Sequence, residues 1–119
     1  MNLNVQARQS DGVTILEVEG RILVGDSSAH FHKVVRDQLQ QGARKLLLLL
    51  RGVTYVDSAG VGELVGAYTA ARSAGAELRL ADLTPKVRDL MAMTNLNQVF
   101  DLNLTEESAL KALRAGDKQ

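Results

Sequence analysis

The residues best placed to do chemistry lie in one stretch, Tyr55-Val56-Asp57-Ser58-Ala59-Gly60-Val61-Gly62-Glu63-Leu64. It sets the Ser58 hydroxyl beside the Asp57 carboxylate, where a buried strand and its following loop deliver the chain to a helix. The first turn of a helix leaves backbone N–H groups unpaired and carries partial positive charge. A serine there can cap the helix, or carry a phosphate that the helix end receives well. Local chemistry leaves both roles open, and Asp-Ser is a common capping pair in its own right. Gly60 and Gly62 each cost a helix roughly 1 kcal/mol relative to alanine. One reason for them is a close backbone approach, from inside the fold or from a partner protein; the other is that Gly62 and Gly66 only allow tight packing on the sheet. The stretch lacks the Gly-Lys-Ser/Thr ending of a nucleotide-binding loop.

Other chemistries find less support. His30 and His32 are two apart on a helix and point to different faces, whereas a metal pair prefers a spacing of three or four. Asp57 as a phosphate acceptor would need an acidic cluster near an earlier strand end to hold magnesium. The second strand ends in Glu19-Gly20-Arg21, which offers little. There are no cysteines, so disulfides, thiolate metal sites and cysteine nucleophiles are excluded. Formal net charge is zero with no basic stripe, which argues against a nucleic-acid partner. No second half of a catalytic set is visible, so no enzyme, catalytic residue, metal or cofactor is expected.

The elements that must position Ser58 can be read from the pattern. The chain has 119 residues, of which 45% are apolar and only 3% aromatic, so its core is mostly aliphatic. That is one domain's worth, expected to span 1–119 with a frayed tail over about 115–119. Leu3, Val5 and Ala7 alternate, then Ser10-Asp11-Gly12, then Val13, Ile15, Leu16 and Val18, which reads as a β-hairpin. Ile22-Leu23-Val24 extends its second strand or forms a short one, and Glu17 and Glu19 read as one solvated strand face. Asp26-Ser27-Ser28 offers side-chain oxygens to start a helix carrying Phe31, Val34, Val35 and Leu39, with Gly42 as its stop. Residues 45–50 show no alternation and read as a strand buried on both faces.

Residues 51–57 then read as a connection, and a helix is expected over about 59–74. Glu77 to Leu80 alternates as a strand, Thr84-Pro85 opens a further helix, Val99-Phe100-Asp101-Leu102 is a short strand or turn, and Thr105-Glu106 opens the last helix. The order predicts an α/β fold: a mixed sheet with an N-terminal hairpin and about four α-helices. Apolar runs fall far short of the roughly 20 residues that span a bilayer, and the N-terminus has no signal-peptide pattern, so no membrane attachment is expected.

Val53-Thr54-Tyr55-Val56-Asp57-Ser58-Ala59-Gly60-Val61-Gly62 resembles the signature of the STAS domain, named for sulphate transporters and anti-sigma factor antagonists. The likeness continues through Gly75-Ala76-Glu77-Leu78-Arg79-Leu80, Val87-Arg88-Asp89-Leu90-Met91, Thr94-Asn95-Leu96 and Val99-Phe100, covering nearly the whole chain. The resemblance implies a bacterial, cytoplasmic anti-sigma factor antagonist. In stand-alone members, an anti-sigma factor that is also an ATP-dependent serine kinase phosphorylates the serine after the aspartate, which is Ser58 here. The unphosphorylated form binds that anti-sigma factor and frees a sigma factor, and a serine phosphatase resets the switch. The implied partner surface is Asp57, Ser58, Ala59, Gly60, Val61 and Gly62, with Leu23 and Asp26 beside it. The family often carries an acidic residue where Leu23 stands, and Asp26 is the acid available from a shifted position. Ala59 stands where Ser or Thr is frequent, which leaves Ser58 as the sole acceptor. The alternative is a non-switching STAS scaffold or a nucleotide-binding module in a larger signalling assembly.

Overall fold

Asp11 and Gly12 both adopt positive φ, 49° and 85°, the tight-turn geometry that matches the twist of paired strands. They join β1 (Leu3–Ser10) to β2 (Val13–Ile22) in an antiparallel ladder running from Leu3 opposite Gly20 to Ser10 opposite Val13. The computed structural model describes residues 3–103 and 105–115. After the hairpin come α1 (Asp26–Gln40), β3 (Lys45–Val56), α2 (Ser58–Ser73), β4 (Glu77–Ala81), α3 (Pro85–Met93), β5 (Asp101–Asn103) and α4 (Glu106–Ala115). The sheet order is β1-β2-β3-β4-β5, with β2 to β5 mutually parallel. This is the expected mixed α/β architecture. Of the expected tail, Ala115 is the last residue of α4 and 116–119 lie outside the described residues.

The unbroken run in β3 has a direct cause. Leu46, Leu48 and Leu50 pack with Phe31 and Val35 of α1, Leu64 and Ala71 of α2, and Val87 and Met91 of α3. Leu47 and Leu49 point the other way, into a smaller cluster with Val13, Ile15, Ala81, and Ala109 and Leu113 of α4. Both faces of residues 46–50 are therefore dry. At about 25 cal/mol per Å² of apolar surface buried, this central strand is a main source of stability. Glu17 is not simply solvated as expected. It pairs with Arg8 at 2.8 Å and Arg51 at 3.5 Å, while Glu106 of α4 meets Arg8 at 2.7 Å. These exposed pairs tie α4 to the sheet, and the Arg8 guanidinium holds the Glu17 carboxyl below its ordinary range.

The short strand expected over residues 99–102 is displaced to β5 at Asp101–Asn103, and two further differences matter for the site. β3 continues to Val56 instead of giving way to a connection after Leu50. Its second half pairs only with β2, from Gly52 opposite Glu19 to Val56 opposite Ile22, because β4 ends at Ala81 opposite Leu49. Register shifts between Glu17 and Glu19 and between Gly20 and Arg21 break the alternation that would have marked it as strand. Meanwhile β2 stops at Ile22, so Leu23 and Val24 belong to a turn, not to a strand. The β2–β3 pair thus projects beyond β4 and carries a loop at each strand's end.

Candidate functional site

Asp57 sits at the tip of this projection, between the end of β3 and the start of α2. Its backbone N–H donates to the Ile22 carbonyl at 3.2 Å, closing the strand pair. Its side chain is the N-cap of α2: Oδ1 accepts from the Gly60 N–H at 2.9 Å. Oδ2 accepts from the Val24 N–H, also at 2.9 Å. One carboxylate therefore holds both the helix start and the loop after β2. Donation from Val24 first, then from Gly60, keeps the Asp57 carboxyl below its ordinary range.

Ser58 is the first residue of α2, and it is exposed. Because Asp57 supplies the cap, Ser58 is not the capping residue. Of the two roles open on local chemistry, the capping one belongs to its neighbour. Beyond it, Ala59 and Val61 are half-buried, Gly60 is buried and Gly62 is exposed.

The two glycines of this first turn have different reasons. A Cβ on Gly60 would lie 2.3 Å from the Ile22 carbonyl oxygen and 2.7 Å from Val56 Cγ1. The close approach expected from inside the fold is thus at Gly60, where α2 rests on the ends of β2 and β3. A Cβ on Gly62 or on Gly66 would meet nothing within 4 Å, so neither glycine is there for tight packing on the sheet. The fold makes no demand for a glycine there.

The loop of residues 23–26 stands beside this turn. Ser27 and Ser28 are buried and fold back onto it, not outward as caps for α1. The Ser27 hydroxyl accepts from the Leu23 N–H at 2.7 Å and donates to the Leu23 carbonyl at 2.9 Å, and the Ser28 hydroxyl donates to the Gly25 carbonyl at 3.1 Å. Gly25 is the N-cap position of α1, without a side chain to bond. Leu23 is half-buried, and Asp26 is exposed in the first turn of α1. The structure therefore brings all the sequence-selected residues, 23 and 26 with 57–62, to one end of the sheet.

It also adds residues outside the expected partner surface. Val24 is 76% exposed while its backbone is held by Asp57. Tyr55 is 44% exposed, and the Lys86 ammonium lies 5.4 Å from its ring centroid. Tyr55 and Val56 form one wall of a groove of about 480 Å³ whose other wall is α3, with Lys86, Val87, Leu90 and Met93. The available signal was a β-branched and an aromatic residue next to the Asp-Ser pair, which a strand reading of residues 51–57 would have exploited. On the opposite flank the surface is polar, where His32 Nδ1 lies 3.1 Å from Glu63 Oε1 between α1 and α2.

The shared carboxylate gives a selective test. Asn is as good a cap as Asp, so Asp57→Asn retains an oxygen for Gly60 but can present an NH2 group to the Val24 N–H. The Val24 amide is expected to exchange faster with solvent, and the melting temperature is expected to fall at neutral pH. The wild-type carboxyl has a depressed pKa in the folded state. Its stabilisation is therefore present above the unfolded value of about 3.9 and is lost as pH falls through the lower folded value. The melting difference between the two chains should close below about pH 4. A difference unchanged from pH 7 to pH 3, with Val24 exchange unaltered, would show that the tie carries no stability.

A family model described as the STAS domain matches residues 4–109. An anti-sigma-B factor antagonist from Bacillus subtilis is 29% identical over 111 residues, covering 93% of this chain and 100% of that protein. An anti-sigma F factor antagonist from Paenibacillus polymyxa is 26% identical, covering 95% of this chain and 97% of that protein. Among solved structures, a candidate anti-sigma factor antagonist from Thermotoga maritima superposes with a TM-score of 0.83 at 25% identity, covering 92% of this chain and 94% of that one.

Proposed function

The chain belongs to the STAS domain family, and from that premise we propose that it is an anti-sigma factor antagonist switched by phosphorylation of Ser58. The observation that carries this reading is the placing of Ser58: exposed, first in α2, and released from capping by Asp57. The unphosphorylated chain binds an anti-sigma factor through residues 23–26 and 57–62 and so frees a sigma factor. The anti-sigma factor is also the kinase and binds the ATP; the Ser58 oxygen takes the terminal phosphoryl group, its proton leaves, and ADP is released. A serine phosphatase restores the binding form. The reactions take place in the cytoplasm, and the chain itself supplies no catalytic residue and no cofactor.

The inhibitory effect of phosphate follows from what already fills the helix end. A phosphoserine carries about −1.5 to −2 charge at pH 7. The Asp57 carboxylate occupies the Gly60 N–H, so the phosphate meets a like charge on the inner side and projects outward. There it opposes a surface that must shed water to bind.

The experiment is incubation with ATP and each anti-sigma factor encoded in the host genome, expressed singly. One of them is expected to bind the chain and add one phosphate, which is acid-stable and absent from Ser58→Ala. Hydroxylamine-labile phosphate on Asp57 would move the chemistry to the aspartate. Binding without any mass shift would leave a non-switching scaffold.

A further inference from the structure

We infer that the groove between the projecting end of β3 and α3 is a second anchoring point for the same anti-sigma partner, and that it takes apolar side chains of that partner. This rests on the reading of Ser58 as partner surface. The first argument is size. A stable specific interface draws on roughly 20 or more residues a side, and residues 23–26 with 57–62 fall well short of that. The contact must spread from Ser58 in some direction.

The second argument is which direction is apolar. Among the described residues, the large apolar ones left exposed are Val24, Tyr55, Met93 and Val99. Val24 is bonded to Asp57, Tyr55 lies three residues before Ser58, and Met93, 81% exposed, stands across the groove from Tyr55. Towards α1 the flank instead presents the polar His32–Glu63 pair. Exposed apolar surface therefore leads away from Ser58 along Tyr55 to Met93 across the groove.

The third argument is why the groove exists. β4 stops pairing at Ala81, so no strand lines the far side of residues 53–56. Thr84, the N-cap of α3, donates its hydroxyl to the Val53 carbonyl at 3.0 Å and fixes the helix beside that open edge. The space is lined by Val56, Val87, Leu90 and Met93 together with the charged Asp89 and Lys86, and the Lys86 ammonium lies over the Tyr55 ring. Such apolar clefts with an aromatic rim are where interface anchors seat.

The test measures affinity for the anti-sigma factor that binds wild type, using Met93→Glu, Tyr55→Ala and Ser58→Asp. Met93 and Tyr55 are exposed, so both groove variants should melt close to wild type. Each is expected to weaken binding about tenfold or more. If both bind within about twofold of wild type while Ser58→Asp does not bind, the groove proposal is overturned and the Ser58 reading stands. If Ser58→Asp binds as tightly as wild type, the Ser58 reading falls, and the groove proposal falls with it. If wild type self-associates in sedimentation and Met93→Glu is monomeric, the groove belongs to a second copy of this chain and the proposal is overturned.

Discussion

A Ser58→Asp chain is expected to lose at least about 30-fold in affinity for its anti-sigma partner while melting within about 3 °C of wild type. The binding effect comes from setting a fixed negative charge, next to that of Asp57, where two surfaces must desolvate. Leaving such a charge without a partner typically removes about 2–5 kcal/mol. The folding effect is small because two local terms oppose each other. An acid in the first turn of a helix gains about 0.3–1 kcal/mol from the positive end, and the neighbouring carboxylate repels it. Ser58→Ala separates charge from hydroxyl: it should bind the partner as wild type does and resist phosphorylation. Because Asp57 is the cap, this alanine should not carry the loss of about 1 kcal/mol that removing a capping serine brings. Calorimetric affinities and thermal melts on the three chains check every part. Equal affinity of wild type and Ser58→Asp would mean that charge at this position is not the switch.

Gly60→Ala is expected to lower stability by about 2 kcal/mol or more, whereas Gly62→Ala, two residues on, should raise it by about 0.5–1 kcal/mol. At Gly60 the new methyl meets the Ile22 carbonyl oxygen at 2.3 Å. That oxygen cannot swing aside, because it is fixed in the β2–β3 pair and accepts the Asp57 N–H. Helix α2 must instead back away from the sheet, which loosens both the Asp57 cap and the loop at Val24. The gain in helix propensity, about 1 kcal/mol, offsets only part of this. Gly62 has open space around it, so propensity acts alone. If the partner's backbone comes close at Gly62, where the fold itself makes no use of a glycine, the same substitution should weaken binding while stabilising the fold. Paired melts decide the folding claim: Gly60→Ala melting with wild type would mean that α2 does not rest on Ile22.

The contrast between these glycines also shows what could be read from the chain and what could not. Both were visible as misfits in a helix, since propensity is local. Which one touches the sheet depends on Ile22, far away in sequence, and no local pattern reports it. The hairpin was legible because Asp11-Gly12 forces the turn by itself, and residues 46–50 were legible because a strand dry on both faces has no polar positions. The rest of β3 was hidden because two register shifts scramble the order of buried and exposed residues in 51–56. The place of Ser58 at an exposed helix start was legible from the residues around it, but the capping of that helix by Asp57 was not, since either residue can cap a helix. The loop of residues 23–26 was selected by its place after the second strand, yet the bond from Val24 to Asp57 that fixes it was not foreseen.

The way Asp57 fills the first turn of α2 has a consequence for regulation over time. The Gly60 N–H is already taken by Asp57, so this donor does not hold a phosphate on Ser58. Under the proposed switch, the fraction of molecules carrying the mark is fixed by the opposing rates of kinase and phosphatase. The chain then acts as a passive record of that ratio, able to sit at any set-point between fully marked and unmarked.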